Sequence, residues 1–169
     1  MVGFLGRLRR SLNESVVNSV YKAPILPYFD YGDIIFGLAH NKYVDKLQKL
    51  QNRAARLILR VKPESHVSTA EMHNALGWQF LGKRRYHHSV IFMYKVMHDL
   101  TPTYLRSEFD LAPQHYSSRL GEKLLLPKPR TESLKKSFKY RGAMAYNALP
   151  PNVKSSSTID AFKSTILNP

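Results

Sequence analysis

The sequence predicts an all-α fold. Three observations carry that expectation. Apolar residues recur at three- and four-residue spacing along most of the chain, helix start and stop residues bracket those stretches, and almost nothing alternates as a half-buried strand would. About seven or eight helices are expected in one compact multi-helix domain, with at most a short strand pair. A chain of 169 residues is one domain's worth on the usual prior. Its 43% hydrophobic content supplies a core.

Residues 7–22 read as one helix, with Leu8, Leu12, Val16 and Val20 on its apolar side. Pro24 and Pro27 stop or kink it. The aromatic- and Ile-rich stretch from Tyr28 to Leu38 reads as a buried helix or an irregular turn, broken by Gly32 and Gly37. Asn41 is expected to cap a long helix over residues 42–61 that ends before Pro63. In that helix Leu47, Leu50, Ala54, Leu57 and Val61 form an apolar stripe. Lys46, Lys49, Arg53, Arg56 and Arg60 repeat the same spacing one residue earlier, roughly 100° around the axis.

Ser68 with Glu71 predicts a capping box for a short helix through Leu76, with Gly77 just past its end. Trp78, Phe80 and Leu81 read as core anchors. A long helix follows over residues 82–99, with Tyr86, Val90, Met93 and Met97 on its apolar face and Arg84, His88 and Lys95 on another. Thr101 and Pro102 open a short helix over 103–109. Residues 110–136 are the least regular, interrupted by Pro113, Gly121, Pro127 and Pro129, with Leu124 to Leu126 as a short strand. A helix over 138–148 ends at Leu149-Pro150-Pro151. Ser155, Ser156 and Ser157 offer caps for a last helix whose apolar edge is Ile159, Phe162 and Ile166.

Charge points to the partner. Against 12 acids stand 26 Lys and Arg, for a net +14, which favours a polyanionic partner, nucleic acid first. Residues 41–62 hold seven cations and one acid, and residues 123–142 hold seven and one, so two short runs carry most of the excess. Helically spaced Lys and Arg can follow a phosphate backbone. Tyr43, Tyr86, Tyr94, Tyr140 and Tyr146 lie among these segments and could stack on bases, although a core role is the commoner one for tyrosine. The candidate nucleic-acid-binding residues are Lys46, Lys49, Arg53, Arg56, Arg60, Arg84, Lys135, Lys136, Lys139 and Arg141.

Catalytic chemistry is hard to find. The chain has no Cys, which removes disulfides, thiolate zinc sites and a catalytic thiol. It shows no phosphate loop, dinucleotide turn or nucleophile elbow, and its histidines make no helical pair with a nearby Glu. Asp30 and Asp33 form a close pair of acids, with no third carboxylate near them in sequence. Two-metal chemistry needs more, and Asp flanking Gly32 is the commoner turn pattern. No catalytic residue, metal, cofactor or small-molecule substrate is therefore expected. No apolar run is long enough to span a membrane, and the apolar stripe of residues 42–61 is needed for the core rather than for a membrane surface. MVGFLGRLRR is too short in its apolar run for a secretory signal, so an intracellular location, nuclear or cytoplasmic, is expected.

Six motifs in order carry a family resemblance: PYFDYGDIIFG, LQKLQNRAARLI, LGWQFLGKRR, MYKVMHDLTPTYL, RTESLKKSFKYRGAMAYNALP and TIDAFKSTI. Together, over nearly the whole chain, they resemble the C-terminal portion of reverse transcriptases of non-LTR (LINE-type) retrotransposons, of the kind related to jockey and chicken-repeat elements. The family usually has Trp where Phe36 and Tyr146 stand here. Its members carry a polymerase palm with a Tyr-x-Asp-Asp motif ahead of this region, whereas Tyr31-Gly32-Asp33 is followed by Ile34. The resemblance thus implies a non-catalytic thumb and post-polymerase module that grips RNA or an RNA–DNA duplex of primer and template. Residues 1–40 would continue from a missing palm, 41–109 would form the basic thumb-like core, and 110–169 the irregular basic segment and last helices. Two other readings are a basic helical adaptor in host use, binding nucleic acid or protein, and a piece of an active RNA-directed DNA polymerase whose palm is encoded elsewhere.

Overall fold

Side-chain caps divide the first third of the chain more finely than its periodicity suggests. The computed structural model describes residues 2–36, 41–62, 64–113 and 123–167. In place of one helix over 7–22 stand α1 (Val2–Ser11) and α2 (Glu14–Val20). Asn13 separates them, its side-chain oxygen accepting from the Val16 N–H at 3.0 Å. An Asn at that point offers the backbone a local alternative to the helical bond, which breaks a continuous pattern. The chain then widens into a single π-helical turn over Tyr21–Ile25 that contains Pro24. Pro27 opens α3 (Leu26–Asp30), and Gly32, at φ 63°, turns the chain into α4 (Asp33–Phe36). This stretch is not the buried element expected, because Tyr28, Tyr31 and Ile35 are largely exposed. Gly37 lies outside the described residues.

The main helix, α5, runs Asn41–Leu59. Arg60 ends it in the left-handed region at φ 54°, and the Val61 N–H donates back to the Arg56 carbonyl at 3.0 Å. α6 (Thr69–Leu76) has the predicted capping box in both directions, Glu71 N–H to Ser68 Oγ at 3.1 Å and Ser68 N–H to Glu71 Oε2 at 2.8 Å. Gly77 follows at φ 63°, where a Cβ would be strained. α7 (Leu81–Met97) comes next. It buries His87, Val90, Met93, Tyr94 and Val96, while Tyr86 is exposed. In α8 (Thr103–Arg106) the cap position is Pro102, and Thr101 makes no capping bond. Two short helices were not expected: α9 (Glu132–Lys136), capped by Thr131, and α11 (Pro151–Lys154). Between them lies α10 (Phe138–Asn147). The last, α12 (Ile159–Leu167), is capped by Thr158 rather than by the serines, through a 3.2 Å bond to the Ala161 N–H. Among the described residues the strand expectation reduces to one antiparallel bridge, Leu111 to Leu124.

The helices gather into two compact units. The first comprises Met1–Asp33 and Ala39–Arg84, the second Ile34–Leu38 and Arg85–Pro169. The division at Arg84 and Arg85 falls within the expected segment 41–109. α1 and α2 pack on α5, so the N-terminal helices share a core with the basic helix rather than extending away from it.

In the first unit Leu5, Val17, Tyr21, Ala54, Ala55, Ile58 and Met72 are fully buried. Trp78 stacks on Tyr21 with centroids 3.9 Å apart, and burial pushes the Tyr21 phenol up to about 12. A polar network crosses this core. Gln48 Nε2 donates to Gln51 Oε1 and to Asn52 Oδ1, both at 2.8 Å, Gln51 donates to the Gln79 carbonyl, and Gln48 Oε1 accepts from the Leu81 N–H. His73 is 1% exposed, with Nε2 3.0 Å from Asn52 Oδ1, and burial holds its imidazole below the ordinary range. The carbonyl oxygen of Asn52 can only accept, so the neutral ring donates from Nε2. Protonation is thus easier in the unfolded chain. His73 adds to stability above its unfolded value of about 6.5, and that contribution falls as pH drops below it. Thermal melts from pH 7.5 to 5 should show a decline in Tm, and His73→Gln should make the decline shallower; an unchanged slope would contradict this role.

The second unit is built on Val90, Met93, Tyr94, Val96, Ala143 and Phe162. Tyr94 stacks on Phe162 at 4.1 Å and its hydroxyl donates to the Ser156 carbonyl at 2.6 Å. Asn147 holds both polar groups of Leu124, accepting from its N–H at 2.8 Å and donating to its carbonyl at 2.9 Å. Gly142 is needed for packing. A Cβ there would sit 2.7 Å from Phe138 Cε2, and that ring is itself set edge-on against Phe92 and Phe109. Gly142→Ala should therefore destabilise by about 1–2 kcal/mol, overpacking outweighing the gain in helix propensity. Urea melts read this directly.

Candidate nucleic-acid interface

On α5 the buried positions are Gln51, Ala54, Ala55 and Ile58. Leu50, expected in the core, is 42% exposed. At about 100° per residue the buried face is rotated away from the expected stripe, and the cations lie nearly opposite it instead of on its flank. The small side chains of Ala54 and Ala55 let neighbouring helices approach closely, which draws that face inward. Lys46, Lys49, Arg53, Arg56 and Arg60 are all exposed in consequence. Lys46 Nζ lies 5.6 Å from the centre of the Tyr43 ring, and that ring is 59% exposed, open to stacking. Lys49, Arg53 and Arg56 make no ion pair with any described residue.

Where α5 ends it meets the end of α1, and two arginines join the helices. Arg9 Nε donates to the Ile58 carbonyl at 2.6 Å and its Nη1 to the Leu12 carbonyl at 3.1 Å. Arg60 Nη2 returns a bond to the Arg9 carbonyl at 2.6 Å. These guanidiniums satisfy carbonyls near two helix C-termini, where cations are favoured. The bond also helps Arg60 occupy its left-handed conformation. Around the junction is a concavity of about 380 Å³ lined by Gly6, Arg9, Arg10, Arg56, Leu57, Arg60, Val61 and Lys62. The acid near it is Glu14, 3.9 Å from Arg9. Arg9 and Arg10 were missed from sequence because Glu14, Asp30 and Asp33 offset the arginines of α1 when charge is summed along the chain. The string RLRR, in a helix with no acid of its own, was the available signal.

The remaining candidates are placed differently. Arg84 holds both carboxylate oxygens of Asp30, at 2.6 and 2.7 Å, and this pairing raises its affinity for the proton. Its guanidinium is committed to a half-buried bidentate pair, so Arg84 is a structural residue of the first unit. Asp30 is correspondingly occupied. In the second unit Lys135 pairs with Glu132 at 2.7 Å and Lys139 with Glu108 at 2.8 Å. Glu132 and Glu108 lie below the usual carboxylate range because of those lysines. Lys136 is half-buried and Arg141 exposed on the same run. Acids temper this second run, whereas the outward face of α5 has few. Among the described residues no helix is long and apolar enough to cross a membrane. No protein-family model, no curated protein and no solved structure matches this chain.

Proposed function

We propose that the protein is a non-catalytic, thumb-like module of a non-LTR retrotransposon reverse transcriptase, binding RNA or primer–template through the outward face of α5. The six ordered motifs support the family. The observation that carries the binding is a row of exposed cations, Lys46, Lys49, Arg53 and Arg56, opposite the buried face of a long helix and without acidic partners among the described residues. Solubility alone is served by interspersed signs, so a face with one acid, Asp45, beside these cations suits a polyanion. Its aromatic member, Tyr43, adds a stacking surface beside the charges.

Salt dependence tests the reading. With about four phosphates neutralised, affinity for a structured RNA should fall roughly a hundred-fold for a fourfold rise in salt, from a slope of roughly −0.7 to −0.9 per phosphate. A flat salt profile, or no measurable binding at low salt, would reject it and favour a protein partner.

A further inference from the structure

The concavity at the joined ends of α1 and α5 differs in kind from the open face beside it. Of its five cations, Arg9 and Arg60 are spent on backbone carbonyls and hold the junction closed. Arg10, Arg56 and Lys62 line the same space, and none has an ion pair or side-chain hydrogen bond among the described residues. Helix-end electrostatics account for two of the five. The other three are like charges lining one space, an arrangement that a counter-charge would favour. At about 380 Å³ the space lies at the small end of the ~300–1,000 Å³ range for ligand pockets, too small for a duplex and adequate for one phosphate with its sugar. An internal phosphodiester brings one negative charge, whereas a phosphomonoester brings roughly −1.5 to −2 and three acceptor oxygens. Arginine forks suit such oxygens bidentately.

We propose that this concavity seats a phosphomonoester or polyphosphate group, held by Arg10, Arg56 and Lys62. The same chemistry is available from the phosphorylated end of a nucleic-acid strand and from a free nucleotide. The strand-end source rests on the nucleic-acid reading above; the phosphate seat itself does not.

The test uses the full chain and one single-stranded oligonucleotide prepared with a 5′-phosphate, with a 3′-phosphate and with hydroxyls at both ends, alongside pyrophosphate and a nucleoside triphosphate alone. A seat for a strand end gives about tenfold tighter binding of one phosphorylated form over the hydroxyl form, as hydrogen bonds to a charged group allow. Arg10→Ala with Lys62→Ala should erase that preference while the hydroxyl form binds within about threefold of wild type and circular dichroism is unchanged. A free-nucleotide seat shows instead as saturable binding of the triphosphate and pyrophosphate that the double variant loses, with no end preference. Pyrophosphate binding with no oligonucleotide binding would sustain the seat and reject the nucleic-acid reading. Equal affinity for all three oligonucleotides together with no binding of pyrophosphate or triphosphate would overturn the seat and leave the open face of α5 standing.

Discussion

Trp78→Ala will lower the unfolding free energy by about 3–5 kcal/mol, the usual cost of removing a large buried aromatic. Trp78 is 8% exposed, stacked on Tyr21 and edge-on to His73. Its Nε1 donates to Asn18 Oδ1 at 2.8 Å, and Asn18 Nδ2 donates to the Leu76 carbonyl at 3.2 Å. Truncation therefore opens a cavity between α2 and α6 and takes the donor from the part-buried Asn18 oxygen. Trp78→Phe keeps a ring against Tyr21 while removing the donor and part of the indole's volume, for a smaller loss of about 1–2 kcal/mol. Because Trp78 is the only tryptophan, far-UV circular dichroism in urea is the appropriate probe. A neutral Trp78→Ala would show that neither its stacking on Tyr21 nor its bond to Asn18 stabilises the fold.

Reversing Lys49, Arg53 and Arg56 to Glu together should weaken RNA binding by about two orders of magnitude at low salt. Each exposed pairing of a cation with a phosphate is worth up to ~1 kcal/mol, and a like charge facing that phosphate adds a similar penalty. The magnitude of the salt slope should fall by about 2–3. All three side chains are exposed and none is bonded to the fold, so the variant should stay folded. Arg60 is left intact because it anchors the Arg9 carbonyl and ends the helix. A parallel reversal of Lys135 and Lys139 should have the smaller effect, since both already face glutamates. Equal losses from both sets would assign binding to the general charge of the chain rather than to α5.

Local chemistry made part of the fold legible. The capping box of α6 depends on Ser68 and Glu71 alone, and Gly77 on the absence of a Cβ, so both are found where their residues stand. Periodicity located α5 and α7 to within a few residues. It joined α1 to α2 because a hydrophobic pattern continues across Asn13 even though a competing side-chain bond interrupts the helix. Composition favoured a buried helix or an irregular turn over Tyr28 to Leu38, where Tyr28, Tyr31 and Ile35 stand exposed, since composition records that residues are apolar and not whether anything covers them. Short helices such as α9 and α11 carry too few residues for a period to register.

Which of the cations belong together was a tertiary matter. From sequence alone come the all-α class, the excess of positive charge, its concentration in residues 41–62 and 123–142 and the absence of cysteine chemistry, because each depends on residue types and near-neighbour spacing. The packed structure decided that α5 turns Ala54 and Ala55 inward and its cations outward, that Arg84 is bound to Asp30, and that Arg9 and Arg10 meet Arg56, Arg60 and Lys62 around one hollow. Those outcomes follow from which surfaces can approach most closely and which buried polar groups must find partners. Both conditions involve residues some fifty positions apart, beyond the reach of any local pattern.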